Sequence, residues 1–83
     1  MTQGWLKCHI LKGMFSDERV VVFHLVNGER YSEFVPAEKV RGEINSDGAL
    51  AVGIYRQDGA SFVELPNEYQ DLFAVADKDL VPA

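Results

Sequence analysis

Apolar and polar residues alternate at a period of two in several short stretches of this 83-residue chain, and that pattern limits the fold more than any other feature. Side chains on a strand point alternately to its two faces. Over Trp5 to Lys12 this puts Leu6, Cys8 and Ile10 on one side and Trp5, Lys7, His9 and Leu11 on the other, predicting a strand with the first set inward. A second such run sets Leu50, Val52 and Ile54 against Ala51, Gly53 and Tyr55 and closes at Gln57-Asp58-Gly59. Ala60 to Leu65 then reads as the next strand, returning through an Asp-Gly turn.

Between these runs lies Arg19 to Gly28, which supports two readings. Ser16, Asp17 and Glu18 could cap a helix that Gly28 ends. Four valines and a phenylalanine favour a strand instead, because branching at Cβ stiffens χ1. Asn27-Gly28 is also a strong hairpin signal, since both central residues of that turn adopt positive φ. A strand is expected, with Val21, Phe23 and Leu25 on one side and Val20, Val22, His24 and Val26 on the other. Glu29 to Pro36 forms its return partner. Pro36 to Val40 reads as one helical turn ended by Gly42, and Asn45-Ser46-Asp47-Gly48 as a turn.

Asn67 to Leu80 is the ambiguous stretch. Tyr69, Leu72, Phe73, Ala76 and Leu80 fall at helical spacing, and Asn67 with Gln70 would form a capping box. An internal repeat points the other way. A shift of 39 residues lays Phe23 on Phe62, Phe34 on Phe73, Ala37 on Ala76 and Lys39 on Lys78. Pro36 makes a long helix improbable in the first copy. The expectation is therefore a strand near Leu72 to Val75, then a turn at Asp77 to Asp79.

These elements predict one small all-β domain over 1–83, made of two β-meander halves at 5–41 and 49–81, with five to six antiparallel strands and short 3₁₀ turns. The composition, 47% hydrophobic and 25% charged, suits a folded domain with a small core. Cys8 is the single cysteine, which excludes an internal disulfide and a thiolate-rich zinc site. Self-association is then the expected aid to stability. No signal core or membrane-length apolar run is present, so a cytoplasmic location and no membrane contact are expected.

Charge is unevenly spread. Residues 1–41 hold five acids and six bases, whereas 42–83 hold eight acids against Arg56 and Lys78. Phosphate-backbone binding rests on clustered Lys and Arg. No such cluster occurs, so nucleic acid is not an expected partner.

Glu33-Phe34-Val35-Pro36-Ala37-Glu38-Lys39-Val40 and Phe73-Ala74-Val75-Ala76-Asp77-Lys78-Asp79-Leu80-Val81 resemble the end of an SH3-like barrel, where a strand enters a single 3₁₀ turn and leaves through a short apolar strand. The meander of short strands and the loop after the first strand are similar to that fold, as it occurs in small bacterial barrels. The acidic, tyrosine-rich segment and paired tryptophans that bind proline-rich peptides in signalling members have no counterpart here. The resemblance thus implies a fold and no activity.

Catalysis needs a nucleophile or base held close to its partner. Cys8 and His9, being neighbours on a strand, point to opposite faces. His9 and His24 could face one another but lack metal-ligand spacing, the glycines are scattered as turn residues, and no serine sits in a nucleophile elbow. A non-enzymatic chain without metal or cofactor is expected. What exceeds a plain core is surplus apolar area. Trp5, Leu11, Met14, Phe15, Val20, Val22 and Phe62 fall outside the assigned core, and such area usually marks contact surfaces. A homodimer or a complex with another protein is the first expectation. The alternative is a small-molecule pocket between the 13–18 loop and the 20–35 hairpin, walled by Met14, Phe15 and Tyr31 and anchored by Arg19 or Arg30.

Overall fold

A computed structural model describes residues 1–83, and it is mainly β. Eight antiparallel strands form one sheet curled into a half-barrel: β1 (Thr2–Lys12), β2 (Glu18–His24), β3 (Arg30–Pro36), β4 (Val40–Arg41), β5 (Ser46–Gln57), β6 (Ala60–Glu64), β7 (Leu72–Val75) and β8 (Leu80–Pro82). Two single 3₁₀ turns, Ala37–Lys39 and Asp77–Asp79, precede β4 and β8. The main path runs β3-β2-β1-β5-β6-β7, with β4 added to β5 and β8 added to β1. The two short strands that follow the 3₁₀ turns raise the count to eight, from the expected five to six.

Period two decides what is inside. Leu6, Cys8 and Ile10 of β1 are buried, and so are Val21 and Phe23 of β2, Leu50, Val52 and Ile54 of β5, and Val63 of β6. Leu6 and Leu50 are paired directly across β1 and β5 with no exposed surface. At about 25 cal/mol per Å² of apolar area removed from water, this single layer is the main source of stability.

The pairing relates the two halves by an exchange of ends. β4, from the first half, joins β5 through Val40 opposite Leu50; β8, from the second, joins β1 through Leu80 opposite Leu6. Register equates Val21, paired with Ile10, with Val63, paired with Ile54. Buried Phe23 then corresponds to buried Leu65, not to Phe62, which is half-buried on the other face. A constant shift of 39 residues aligns two phenylalanines that face opposite ways.

Of the two expected hairpin turns, Asp58-Gly59 forms as expected and Asn27-Gly28 does not. At Asp58-Gly59 both residues adopt positive φ, 54° and 78°, as a two-residue hairpin requires. At Asn27-Gly28 only Gly28 does, at 89°. There β2 ends at His24 and a wider loop follows, closed by Leu25 N–H to Glu29 O at 2.8 Å and Gly28 N–H to Leu25 O at 2.9 Å. This frees Val26 N–H to bond Ala74 O of β7 at 2.9 Å, tying the hairpin tip to the far side of the barrel.

Ser46, Asp47 and Gly48, expected in a turn, belong to β5 and pair with Ile10, His9 and Cys8. The reversal lies earlier, at Gly42 (φ 130°) and Asn45 (φ 67°). Gly48 serves close approach: a Cβ there would run into Arg41 O and lie 2.5 Å from Ile10 Cδ1. Leu72–Val75 is a strand and Asp77–Asp79 a 3₁₀ turn, so the helical spacing of Asn67 to Leu80 is not used. Tyr69 and Leu72, which a helix would have buried, are exposed.

Candidate functional site

Three surfaces combine chemistry with access. The first is a groove where the β1 ladder divides. On one edge β1 pairs with β8 at Gly4–Leu6 and then with β2 from His9, leaving Lys7 and Cys8 between the two partners. A cavity of about 650 Å³ opens there, lined in part by His9, His24, Arg30 and Asp47. His9 Nδ1 and Asp47 Oδ1 are 2.9 Å apart, both exposed. Cys8 sits beneath with its thiol turned into the core. Burial, with a smaller effect of the Asp47 carboxylate, pushes that thiol up to about 11. Cys8 is thus a small core residue with little thiolate at neutral pH. No three His, Cys, Asp or Glu side chains come together in a way that could hold a metal ion.

The second surface is apolar. On the outer face, strand pairing sets Leu11 beside Val20 and Val20 beside Phe34, a row across β1, β2 and β3. The loop that closes the β1–β2 hairpin carries Met14 and Phe15, 76% and 67% exposed. Glu18 Oε1 holds this loop by accepting from Met14 N–H at 3.0 Å, so both side chains are presented by a closed turn.

The expected contact residues are thereby divided. Leu11, Met14, Phe15, Val20 and Val22 share this end of the outer face. Trp5 lies at the other end of β1, half-buried, opposite Ala51 and Val81, with the Arg41 guanidinium 3.9 Å over its ring. Phe62 is on β6, between Tyr55 and Ala74. The five residues of the alternative pocket are not brought together. Met14, Phe15 and Arg19 stand at the Glu18–Pro36 end of the β2–β3 hairpin, Arg30 and Tyr31 at the His24–Arg30 end. Arg19 Nη1 donates to Ser16 O and Glu18 O, each at 2.9 Å. Tyr31 packs with Phe23 and Phe73 inside the barrel, its centroid 4.5 Å from that of Phe73.

The third surface is a groove of about 430 Å³ between β3 and the loop before β7. Phe34 and Tyr69, 48% and 77% exposed, flank it. Sequence reading missed both as surface residues. The adjacent apolar pair Phe34-Val35 held the signal for one of them, since neighbours on a strand cannot both face inward.

A separate network ties the second half together. Arg56 Nη1 donates to Ser61 Oγ and to Asp77 Oδ1, at 2.6 and 2.7 Å, and Ser61 Oγ also donates to Asp77 Oδ1. The Ser61 hydrogen bond first, then that from Arg56, hold the Asp77 carboxyl below its ordinary value.

Compared with models of known protein families, with curated proteins and with solved structures, the chain matches none. No helix is long and apolar enough to cross a membrane.

Proposed function

We propose that this chain is a non-catalytic SH3-like β-barrel module of the cytoplasm that acts by binding protein, in the first place a second copy of itself. The observation that carries the reading is the outer-face row Leu11–Val20–Phe34 with Met14 and Phe15 beside it. Large apolar side chains grouped on one rim of a small barrel are an arrangement that self-contact would cover, and a symmetric dimer presents the same patch from both copies. The barrel reading is supported by the path from β7 through the Asp77–Asp79 turn into β8 and back onto β1. Cys8, buried with its thiol pushed up, offers no nucleophile, which favours binding over catalysis.

Sedimentation equilibrium at micromolar concentration tests this. A dimer that dissociates in Phe15→Ser/Val20→Lys, with unchanged circular dichroism, is the expected result. A wild-type protein that stays monomeric over the whole range overturns self-binding.

A further inference from the structure

We infer that the groove between β3 and the loop before β7 takes an extended, basic segment of another protein, added as a strand to the free edge of β3. β3 is the outermost strand on its side of the sheet and is hydrogen-bonded only to β2. Its other edge faces β7 across the open side of the half-barrel. At one end this seam is shut, by Tyr31 against Phe73 and by Val26 N–H on Ala74 O. At the other end, towards Val35 and Pro36, it widens into the groove. An unpaired edge beside a groove is the geometry in which an incoming strand gains main-chain hydrogen bonds from the edge and side-chain contacts from the walls.

The walls specify the charge of the occupant. Asp17, Glu18, Glu33 and Glu68 line the groove, and no lysine or arginine does. The chain contains two ion pairs, His9–Asp47 and Arg56–Asp77, so none of these four carboxylates has a cationic partner. Glu33 is occupied locally: Oε1 accepts from Phe34 N–H at 3.1 Å, and Oε2 accepts from Tyr31 Oη–H at 3.3 Å. An edge amide is thus covered by a neighbouring carboxylate, which a partner's backbone carbonyl could replace while its cation takes up Glu33. The exposed rings of Phe34 and Tyr69 offer faces on which a guanidinium or an aliphatic stem can lie. Asn67, at the groove wall, has both side-chain Nδ2 and Oδ1 buried without a hydrogen-bond partner.

A second copy of this chain is the wrong occupant. Two β3 edges brought together would set Glu33 near Glu33, and like charges across a strand pair oppose association. Acidic net charge, −5 for the whole chain, also disfavours a phosphate-bearing ligand at this site. The groove shares Phe34 with the outer-face row, but its acidic wall at Glu33 and Glu68 is separate from Phe15 and Val20, so the two readings fail separately: a monomer that binds basic peptide loses only the dimer.

The probe is a fluorescein-labelled peptide of alternating Arg and Val, followed by fluorescence anisotropy and by amide shift mapping on the ¹⁵N-labelled full chain. Binding that weakens as salt rises is expected, with shifts confined to β3 and residues 17–18 and 66–71. Glu33→Gln/Glu68→Gln should weaken it about fivefold, from two partly exposed charge contacts. The same peptide with alternate amides N-methylated should bind more weakly still. Glu68→Gln alone, on an exposed residue that makes no hydrogen bond, keeps the test open should Glu33 be needed for folding. Absence of binding, shifts elsewhere on the barrel, equal binding of a Glu–Val peptide, or indifference to N-methylation would each overturn the inference.

Discussion

Leu6 and Leu50 lie opposite one another on the two central strands, and each has the terminal strand of the other half on its second side, Leu80 for Leu6 and Val40 for Leu50. Four residues from four strands therefore meet in one row through the middle of the sheet, and the halves share their core there.

Truncation in that row should be costly. Leu50→Ala removes fully buried methyl groups from a site held on both sides by paired strands, where collapse is restricted, and a loss of about 2–5 kcal/mol is expected. Ile54→Val, a milder deletion in the same layer, should cost about 0.5–1.5 kcal/mol. Urea denaturation monitored by tryptophan fluorescence measures both. Equal midpoints for Leu50→Ala and wild type would contradict the shared row.

Gly48 and Gly28 should differ in their tolerance of substitution. A methyl at Gly48 meets the backbone of Arg41, which cannot yield without moving β4, so Gly48→Ala should destabilise by about 1–3 kcal/mol. Gly28 has open space and only a positive φ, which asparagine tolerates. Gly28→Asn should keep a midpoint close to that of wild type, and thermal melts of the two variants side by side decide the order.

The Cys8 thiol sits at about 11 in the folded chain, against 9.0 for the free group. Folding thus favours the neutral thiol. The stabilising effect is complete below pH 9.0 and disappears as pH rises through about 11. Native protein at pH 8 should react slowly with a thiol reagent such as DTNB and rapidly in urea. Cys8→Ala should lessen the alkaline loss of stability read from melts at rising pH, to which the raised Tyr31 and Tyr55 hydroxyls also contribute.

Asp77 has the opposite sign. Its folded-state pKa is depressed by Ser61 and Arg56, so the contribution is present above the ordinary aspartate value and lost as pH falls through the folded value. Asp77→Asn should flatten the decline of melting temperature below about pH 4, and Arg56→Gln should do the same to a smaller extent. A decline as steep in both variants as in wild type would show that other carboxylates carry the acid response.

Much of the fold was legible because burial on a curled sheet obeys the two-residue period. Leu6, Cys8 and Ile10 follow it, as do Leu50, Val52 and Ile54. The failures fall where long-range pairing overrides local chemistry. Ser46 to Gly48 has turn composition, yet β1 is long enough to recruit it into β5. Asn27-Gly28 has the composition of a tight turn, yet Val26 is drawn out to reach Ala74. Of the site, the sequence exposed the apolar surplus at Leu11, Met14, Phe15 and Val20. It could not show that Trp5 and Phe62 stand apart from them, nor that Phe34 would share a groove with Tyr69. Both depend on strand order and on the closing of a barrel seam, which no short window of residues encodes.

The exchange of β4 and β8 has a further result for how the chain can be divided. Each half lends its last strand to the other, so neither can close its own sheet. Cleavage at the Gly42–Asn45 reversal would yield two fragments with complementary gaps, and the intact fold would re-form only from their mixture.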